Sequence, residues 1–417
     1  MKVVGLIVEY NPFHLGHLYH LETAKKVTSS DYVICVMSGN FIQRGEPAMF
    51  DKWARTKMAI LGGADLVIEL PVVYGMSSAE YFAKAGVSLL CKTGIVDSLC
   101  FGSEIGSLEE LRAIAEVLAN EPYDYKSLLK KYLDGGISYP AAREKALLDY
   151  FKLAGLDYEH LSDYISKANN ILGIEYLKAL INMDSKIKAV TIKRQGSDYT
   201  DINLSGQFSS ATSIREIIQT DGLNSAIKST ISESTFNVIK EEVESGRGPI
   251  FTNYFDNIVL ALLRRLGRDG LEHLPYMGEG LHNRLYKGLL KSSTIGELVD
   301  KSCTKRYTRT RVLRGIMHSL TGLQEEDFKE FNSSGGPKYI RVLGFNSKGQ
   351  QMLGEMKEKA TLPVIIKTAD YTKILDETGR KMFEIESAST DMYVLGYPTA
   401  KKGIGQEFTR NVVRIGL

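Results

Sequence analysis

At 417 residues the chain is long enough for two or three domains, each able to bury its own core. A hydrophobic share of 43%, a charged share of 24% and only 10 prolines exclude extended disorder and collagen-like repeats. Lys and Arg number 52 against 50 Asp and Glu, a formal charge of +2, so bulk charge neither demands nor excludes a nucleic-acid partner. Cys35, Cys91, Cys100 and Cys303 stand too far apart in sequence for closely spaced zinc ligands, and the chain reads as reduced and cytoplasmic. The apolar run Val3 to Val8 is cut by Glu9, too short for a signal-peptide core, and no apolar stretch of roughly 18 residues follows, so no membrane partner is expected.

Short β-branched runs alternate with longer amphipathic segments through the first half. Val3 to Glu9, Tyr32 to Met37, Asp65 to Leu70, Ser98 to Phe101 and Ile187 to Ile192 read as buried strands, and the segments between them as helices. The first three runs begin about thirty residues apart, the spacing of right-handed βαβ units, which predicts a Rossmann-like, doubly wound parallel sheet over residues 1–220. Charged helical periodicity broken by Gly135-Gly136 and Pro140 marks a helical insertion at about 107–161. From 221 to 334 strand signals give way to helical periodicity such as Ile258, Leu260, Leu262, Leu263 and Leu266, the mark of a separate helical domain. After Gly335-Gly336-Pro337 a small α/β C-terminal domain is expected over 335–417. Its elements are strands at Tyr339 to Phe345, Val364 to Lys367 and Asp391 to Leu395, with a helix at Gln350 to Lys357.

In a doubly wound sheet the ligand lies beyond the carboxyl ends of the strands, which directs attention to the loops after Glu9, Met37, Leu70 and Phe101. The first of these carries Asn11-Pro12-Phe13-His14-Leu15-Gly16-His17, and three of the seven histidines fall within the first twenty residues. His14 and His17 are three apart, so at a helix N-terminus they share a face where unpaired N–H groups already favour phosphate. Imidazoles placed there donate to phosphoryl oxygens as charge spreads during in-line attack, with no protein nucleophile required. Ser210-Ala211-Thr212-Ser213-Ile214-Arg215 offers a second helix N-terminus, with Arg215 as a fixed fork of donors. The loop Ser38 to Gly45 can fold over a ligand, and Arg44, Lys52 and Arg55 supply positive charge for a carboxylate or a triphosphate.

His14-Leu15-Gly16-His17 resembles the first signature of the HIGH nucleotidyltransferase superfamily, and Ser210 to Arg215 resembles its second. Gly5 to His14, Met37 to Phe41, Gln43 to Pro47, Phe101 to Glu104 and Lys305 to Arg309 are similar to one family within it, the tRNA(Met) cytidine acetate ligases. The resemblance implies a ligase that uses ATP to convert acetate into acetyl-adenylate. The acetyl group then passes to N4 of the wobble cytidine of elongator tRNA(Met), with AMP and pyrophosphate as products. It implies His14, His17, Thr212, Ser213 and Arg215 as catalytic residues. It places ATP against Ile7-Val8-Glu9-Tyr10-Asn11-Pro12-Phe13-His14-Leu15-Gly16-His17-Leu18-Tyr19-His20, Gly102 and Arg194, together with Asn169 or its neighbour Asn170. Ala168 stands where the family usually has proline. Mg²⁺ is expected to enter through the ATP phosphates, with few or no protein ligands.

Positive charge is concentrated in the second half. Residues 251–320 contain 12 Lys or Arg against 6 Asp or Glu, and Lys305, Arg306, Tyr307, Arg309 and Arg311 combine cations with an aromatic ring, as RNA-binding segments do. A small-molecule adenylyltransferase of the pantetheine-phosphate or nicotinamide-nucleotide type shares both signatures but leaves this half without a task. A non-catalytic RNA-binding protein leaves the intact His-x-x-His unexplained.

Overall fold

The computed structural model describes residues 1–137, 139–155, 161–194 and 210–416, so residues 138 and 156–160 of the expected insertion lie outside it. Five strands form the parallel body of one sheet: β1 (Val3–Val8), β2 (Tyr32–Ser38), β3 (Leu66–Leu70), β4 (Ser98–Ser103) and β5 (Lys188–Lys193), in the spatial order β3-β2-β1-β4-β5. The chain winds outward from β1 through β2 to β3, then restarts on the other side at β4. The order therefore reverses between β1 and β4, and a crevice opens at their carboxyl ends.

Alternation along each strand covers both faces. In β2, Ile34 and Val36 enter one apolar cluster, whereas Val33, Cys35 and Met37 enter another on the opposite side. Each such side chain contributes roughly 1.5–3 kcal/mol on burial, before conformational entropy is subtracted. The crossovers are α1 (Leu15–Thr28), α2 (Lys52–Leu61), α3 (Ala79–Lys92) and, after several further helices, α4 (Ala168–Asn182). Helix α5 (Ala211–Asp221) carries the second signature.

Between Ala211 and Ser333 every regular element among the described residues is helical. Val259, Leu263, Leu285, Leu298, Val312 and Ile316 pack in one core there, with α6 (Arg309–Thr321) running through it. That core also takes in Phe41 and Val72 from the first half and Tyr393 from the last, so it is continuous with its neighbours.

The last segment departs from the expectation of a separate small domain. Its first strand, β6 (Ile340–Phe345), pairs antiparallel with β3, Leu66 facing Phe345 and Ile68 facing Val342, and so extends the same sheet. Strands β7 (Val364–Ile365) and β8 (Val413–Arg414) pair parallel with β6. The stretch Asp391 to Leu395, expected as a strand, instead ends α7 (Glu377–Tyr393) and the turn after it. Helical spacing of buried Met382, Phe383, Glu386, Ser389, Thr390 and Tyr393 outweighs the short apolar run Tyr393-Val394-Leu395.

Candidate active site at the ends of β1 and β4

Helix α1 begins at His14, whose extended backbone (φ −133°, ψ 174°) places it at the N-cap. The His14 Nδ1 accepts the Gly16 N–H at 3.0 Å, and the His17 Nδ1 accepts the His14 N–H at 3.3 Å, a reciprocal capping box built from imidazoles. The two rings lie 3.7 Å apart between centroids. Gly16 is required by this packing: a Cβ there would stand 2.9 Å from the His14 Cε1. Accepting at Nδ1 fixes the neutral tautomer of His14 with its proton on Nε2, a donor beyond the helix end, while the His17 ring also hydrogen-bonds to the Pro12 carbonyl. Burial, reinforced by the Arg194 and Arg215 charges, lowers the His14 pKa to about 3. Burial and the neighbouring His14 push His17 well below its ordinary range, and burial with Arg194 takes His20 to about 4. All three rings are therefore neutral near pH 7.

A cavity of about 480 Å³ opens in front of them. Of the segment Ile7 to His20, the residues Ile7 to Asn11, His14, Gly16, His17, Tyr19 and His20 line it. Phe13 and Leu18 turn into the apolar layer beneath, while the Leu15 N–H is held by the Thr230 carbonyl at 3.0 Å. Gly102, Asn169 and Arg194 form another part of the wall. Arg194 donates to the Asn169 Oδ1 at 3.5 Å, and a Cβ on Gly102 would approach the Arg194 Cγ to 3.2 Å. Asn169 rather than Asn170 reaches the cavity. Asn170 is buried and uses its Oδ1 to accept the Glu104 N–H at 2.9 Å, while Asn169 donates to the Glu104 Oε1 at 2.6 Å. Glu104, the residue directly after β4, thus holds both asparagines, its Oε2 accepting the Asn170 N–H at 2.8 Å.

In the second signature the structure separates the residues. Arg215 lines the cavity, donating to the Asn11 carbonyl at 3.1 Å and to the Thr212 Oγ1 at 3.3 Å. Thr212 thereby positions Arg215 instead of forming the wall. Ser213 is fully buried: its hydroxyl donates to the Ser210 carbonyl at 2.8 Å and its N–H to the Ser210 Oγ at 3.1 Å. Its side chain is spent on capping α5.

Two of the three cations expected near the Ser38 to Gly45 loop are committed elsewhere. Arg55 is buried and donates to four backbone carbonyls, those of Glu9, Ser38, Gly39 and Phe50. Lys52 is sealed in an ion cluster with Glu69, Glu386 and Glu407. Arg44 does line the cavity. Facing it are Thr310 and Arg314 of α6, and Arg314 donates to the Gln43 carbonyl at 3.1 Å. Phe82 and Tyr176 complete an aromatic floor that sequence reasoning missed, because a buried aromatic on an amphipathic helix looks like ordinary core.

The basic segment at the start of α6 is close to this opening. Lys305, Arg306 and Arg309 are exposed, Arg306 stands 3.5 Å from Glu279, and Arg309 is paired with Asp300. Arg311 is half-buried on Glu279 and the Gly278 carbonyl. Tyr307 does not present a stacking face: it is buried, its hydroxyl donates to the Glu279 carbonyl at 2.6 Å, and guanidinium groups of Arg306 and Arg311 lie 5.8 Å and 5.5 Å from its ring centre. No helix among the described residues is long and apolar enough to cross a membrane.

The family model described as HIGH Nucleotidyl Transferase matches residues 1–407. The chain is 48% identical over 418 aligned residues to the tRNA(Met) cytidine acetate ligase of Acetivibrio thermocellus, covering 99% of this chain and all of the relative. It is 43% identical to that of Halothermothrix orenii, covering 98% of each. The apo crystal structure of Thermotoga maritima TmcAL superposes with a TM-score of 0.97, and its form bound with alpha-thio ATP with 0.94, both at 34% identity and full coverage of both chains. This chain belongs to the tRNA(Met) cytidine acetate ligase family of the HIGH nucleotidyltransferases.

Proposed function

We propose that the protein is an ATP-dependent ligase that activates acetate as acetyl-adenylate and acetylates N4 of the wobble cytidine of elongator tRNA(Met). The observation that carries this reading is one cavity with two kinds of wall. On one side stand neutral imidazoles at a helix N-terminus and the guanidinium groups of Arg194 and Arg215, and on the other Thr310 and Arg314 of α6, the helix that starts at exposed Arg309 just after exposed Lys305 and Arg306. The first wall handles a nucleotide and the second admits RNA.

Acetate is a poor acyl donor because its leaving group would be oxide, so it must first be activated. Its carboxylate oxygen attacks the α-phosphorus of ATP and the bond to the β-phosphate oxygen breaks. His14 and His17 donate through Nε2 to the phosphoryl oxygens, while Arg194 and Arg215 balance the charge that moves onto departing pyrophosphate. The cytidine N4 then attacks the acetyl carbon, its bond to the AMP oxygen breaks, and AMP leaves with the electron pair. Thr212 and Ser213 act behind this surface by orienting Arg215 and capping α5. Magnesium arriving with ATP would supply charge neutralisation at the phosphates with few protein ligands; Glu9 is the one carboxylate on the wall among the described residues.

The test is incubation with ATP, radiolabelled acetate and an unmodified tRNA(Met) transcript, counting acid-stable label in the RNA. Label is expected with the native chain and is lost with His14→Ala, together with acetate-dependent exchange of pyrophosphate into ATP. Exchange driven by a phosphorylated metabolite in place of acetate would overturn the reading.

A further inference from the structure

The cavity wall is neutral or cationic everywhere except at Glu9. This carboxylate follows β1 directly. Its Oε1 accepts the Gln43 N–H at 2.7 Å, while Oε2 takes no hydrogen bond from the described residues and the side chain lines the cavity. Burial raises its pKa even against the Arg215, Arg44 and Arg55 charges, which makes it a better proton acceptor than a free glutamate. Gln43 also fixes where Glu9 stands in the molecule, because its carbonyl accepts from Arg314 of α6. Loop and helix are in direct contact: a Cβ on Gly45, whose φ is +82°, would stand 2.6 Å from the Arg314 nitrogen. Glu9 therefore lies at the end of the cavity where the RNA-side helix closes on the sheet.

A negative group there repels a triphosphate but suits an exocyclic amine, and cytosine presents N4 as a hydrogen-bond donor to carboxylates. The acyl transfer also needs a proton acceptor. When the N4 lone pair forms the bond to the acetyl carbon, nitrogen becomes cationic and must lose a proton as AMP departs.

We propose that Glu9 is the residue that receives the acceptor base, accepting a hydrogen bond from cytidine N4–H and then its proton during acetyl transfer. The N–C bond forms, the C–O bond to AMP breaks, AMP keeps the electron pair, and the N4 proton passes to the Glu9 Oε2 and on to water. The inference rests on the ligase reading above, and adenylation itself makes no demand on this group because acetate is already deprotonated.

The experiment supplies synthetic acetyl-adenylate and follows single-turnover transfer to a tRNA(Met) transcript as a function of pH. Glu9→Gln keeps an acceptor for the Gln43 N–H. Its transfer rate is expected to fall about 100-fold, and the rise of the native rate with pH as Glu9 ionises disappears. Glu9→Asp, which keeps a carboxylate, keeps that rise at a lower rate. A Gln variant that transfers at the native rate, or still shows the acid limb, overturns the assignment. Recovery of the Gln variant by added Mg²⁺ also overturns it, since Glu9 would then be a metal ligand. If the native protein itself transfers nothing from acetyl-adenylate, the ligase reading fails, whatever Glu9 does.

Discussion

Lys52→Met tests how the two ends of the chain are held together. Lys52 sits in the first turn of α2 with no solvent exposure, and its Nζ lies 2.5 Å from Glu69 on β3, 3.1 Å from Glu386 on α7, and against Glu407. Arg341 on β6 closes the cluster against Glu407 and stands 3.7 Å from Glu69. Three carboxylates face two cations, so the cluster is neutral when it retains one proton. Burial and the adjacent Glu386 raise the Glu69 pKa to about 8, which favours retention of that proton within the cluster near neutral pH. Burial would also raise Glu407, but Arg341 and Lys52 outweigh it and take that group down to about 2. Removing Lys52 leaves buried carboxylate charge uncompensated, a loss of about 3–5 kcal/mol. With an unfolding entropy of about 2.1 cal/mol/K per residue, roughly 0.9 kcal/mol/K for this chain, the melting midpoint should drop by about 3–6 °C.

The pH dependence of that deficit has a definite sign. Glu407, depressed in the fold, contributes stability above its unfolded pKa that is lost as pH falls toward 2. Glu69, raised in the fold, favours the native state at low pH and loses that contribution as pH rises from about 4.5 through about 8. In Lys52→Met, protons can neutralise the carboxylates left behind, so the deficit should be largest near pH 8 and smaller near pH 5. Lys57→Met is the control on the same helix: its pair with Glu241 at 2.6 Å is exposed, and its loss should cost under about 1 kcal/mol. Differential scanning calorimetry of both variants at the two pH values decides the matter. Equal shifts for Lys52→Met and Lys57→Met, or a Lys52→Met deficit that grows on acidification, would refute the reasoning.

Because the His14 pKa is lowered to about 3 and the His20 pKa to about 4, acetate-dependent pyrophosphate exchange should show no inflection near the ordinary histidine range between pH 5.5 and 8. An inflection near pH 6.5 that vanishes in His14→Gln would show that the ring works as a cation. On the RNA side, Arg306→Ala should weaken tRNA binding and reduce the slope of log affinity against log salt by about 0.9, as for one lost phosphate contact. Tyr307→Leu should lower stability by about 1–3 kcal/mol while leaving that slope unchanged. Lost affinity without lost stability would mean that the tyrosine stacks a base after all.

What could be read from the sequence was local. β-branched runs about thirty residues apart announced the parallel strands, and a His-x-x-His directly after the first strand announced a phosphate-handling helix end, because strand, turn and N-cap are contiguous in the chain. What could not be read joined distant residues. Nothing near Ile340 announces that β6 will lie antiparallel to β3, some 270 residues earlier, since edge pairing depends on which sheet edge the intervening helices leave uncovered. A weaker signal was nevertheless present: Glu69 and Arg341 each interrupt an otherwise apolar strand, and a charge buried in a sheet requires a partner. Pairing those two by chemistry alone would have brought the strands together. Tyr307 carries the same lesson at close range. Surrounded by arginines it resembles a base-stacking residue, yet it precedes the N-cap Thr308, whose side chain accepts the Arg311 N–H, and five residues later comes buried Val312. An apolar residue before the N-cap packing against the fourth residue of the helix is a hydrophobic staple, so the pattern that sets the angle of α6 also withdraws the ring from RNA. The arginines beside it diverge from that anchored helix start: Arg306 just before it and Arg309 in its first turn are exposed, Arg311 is half-buried on Glu279, and Arg314 further along reaches the cavity.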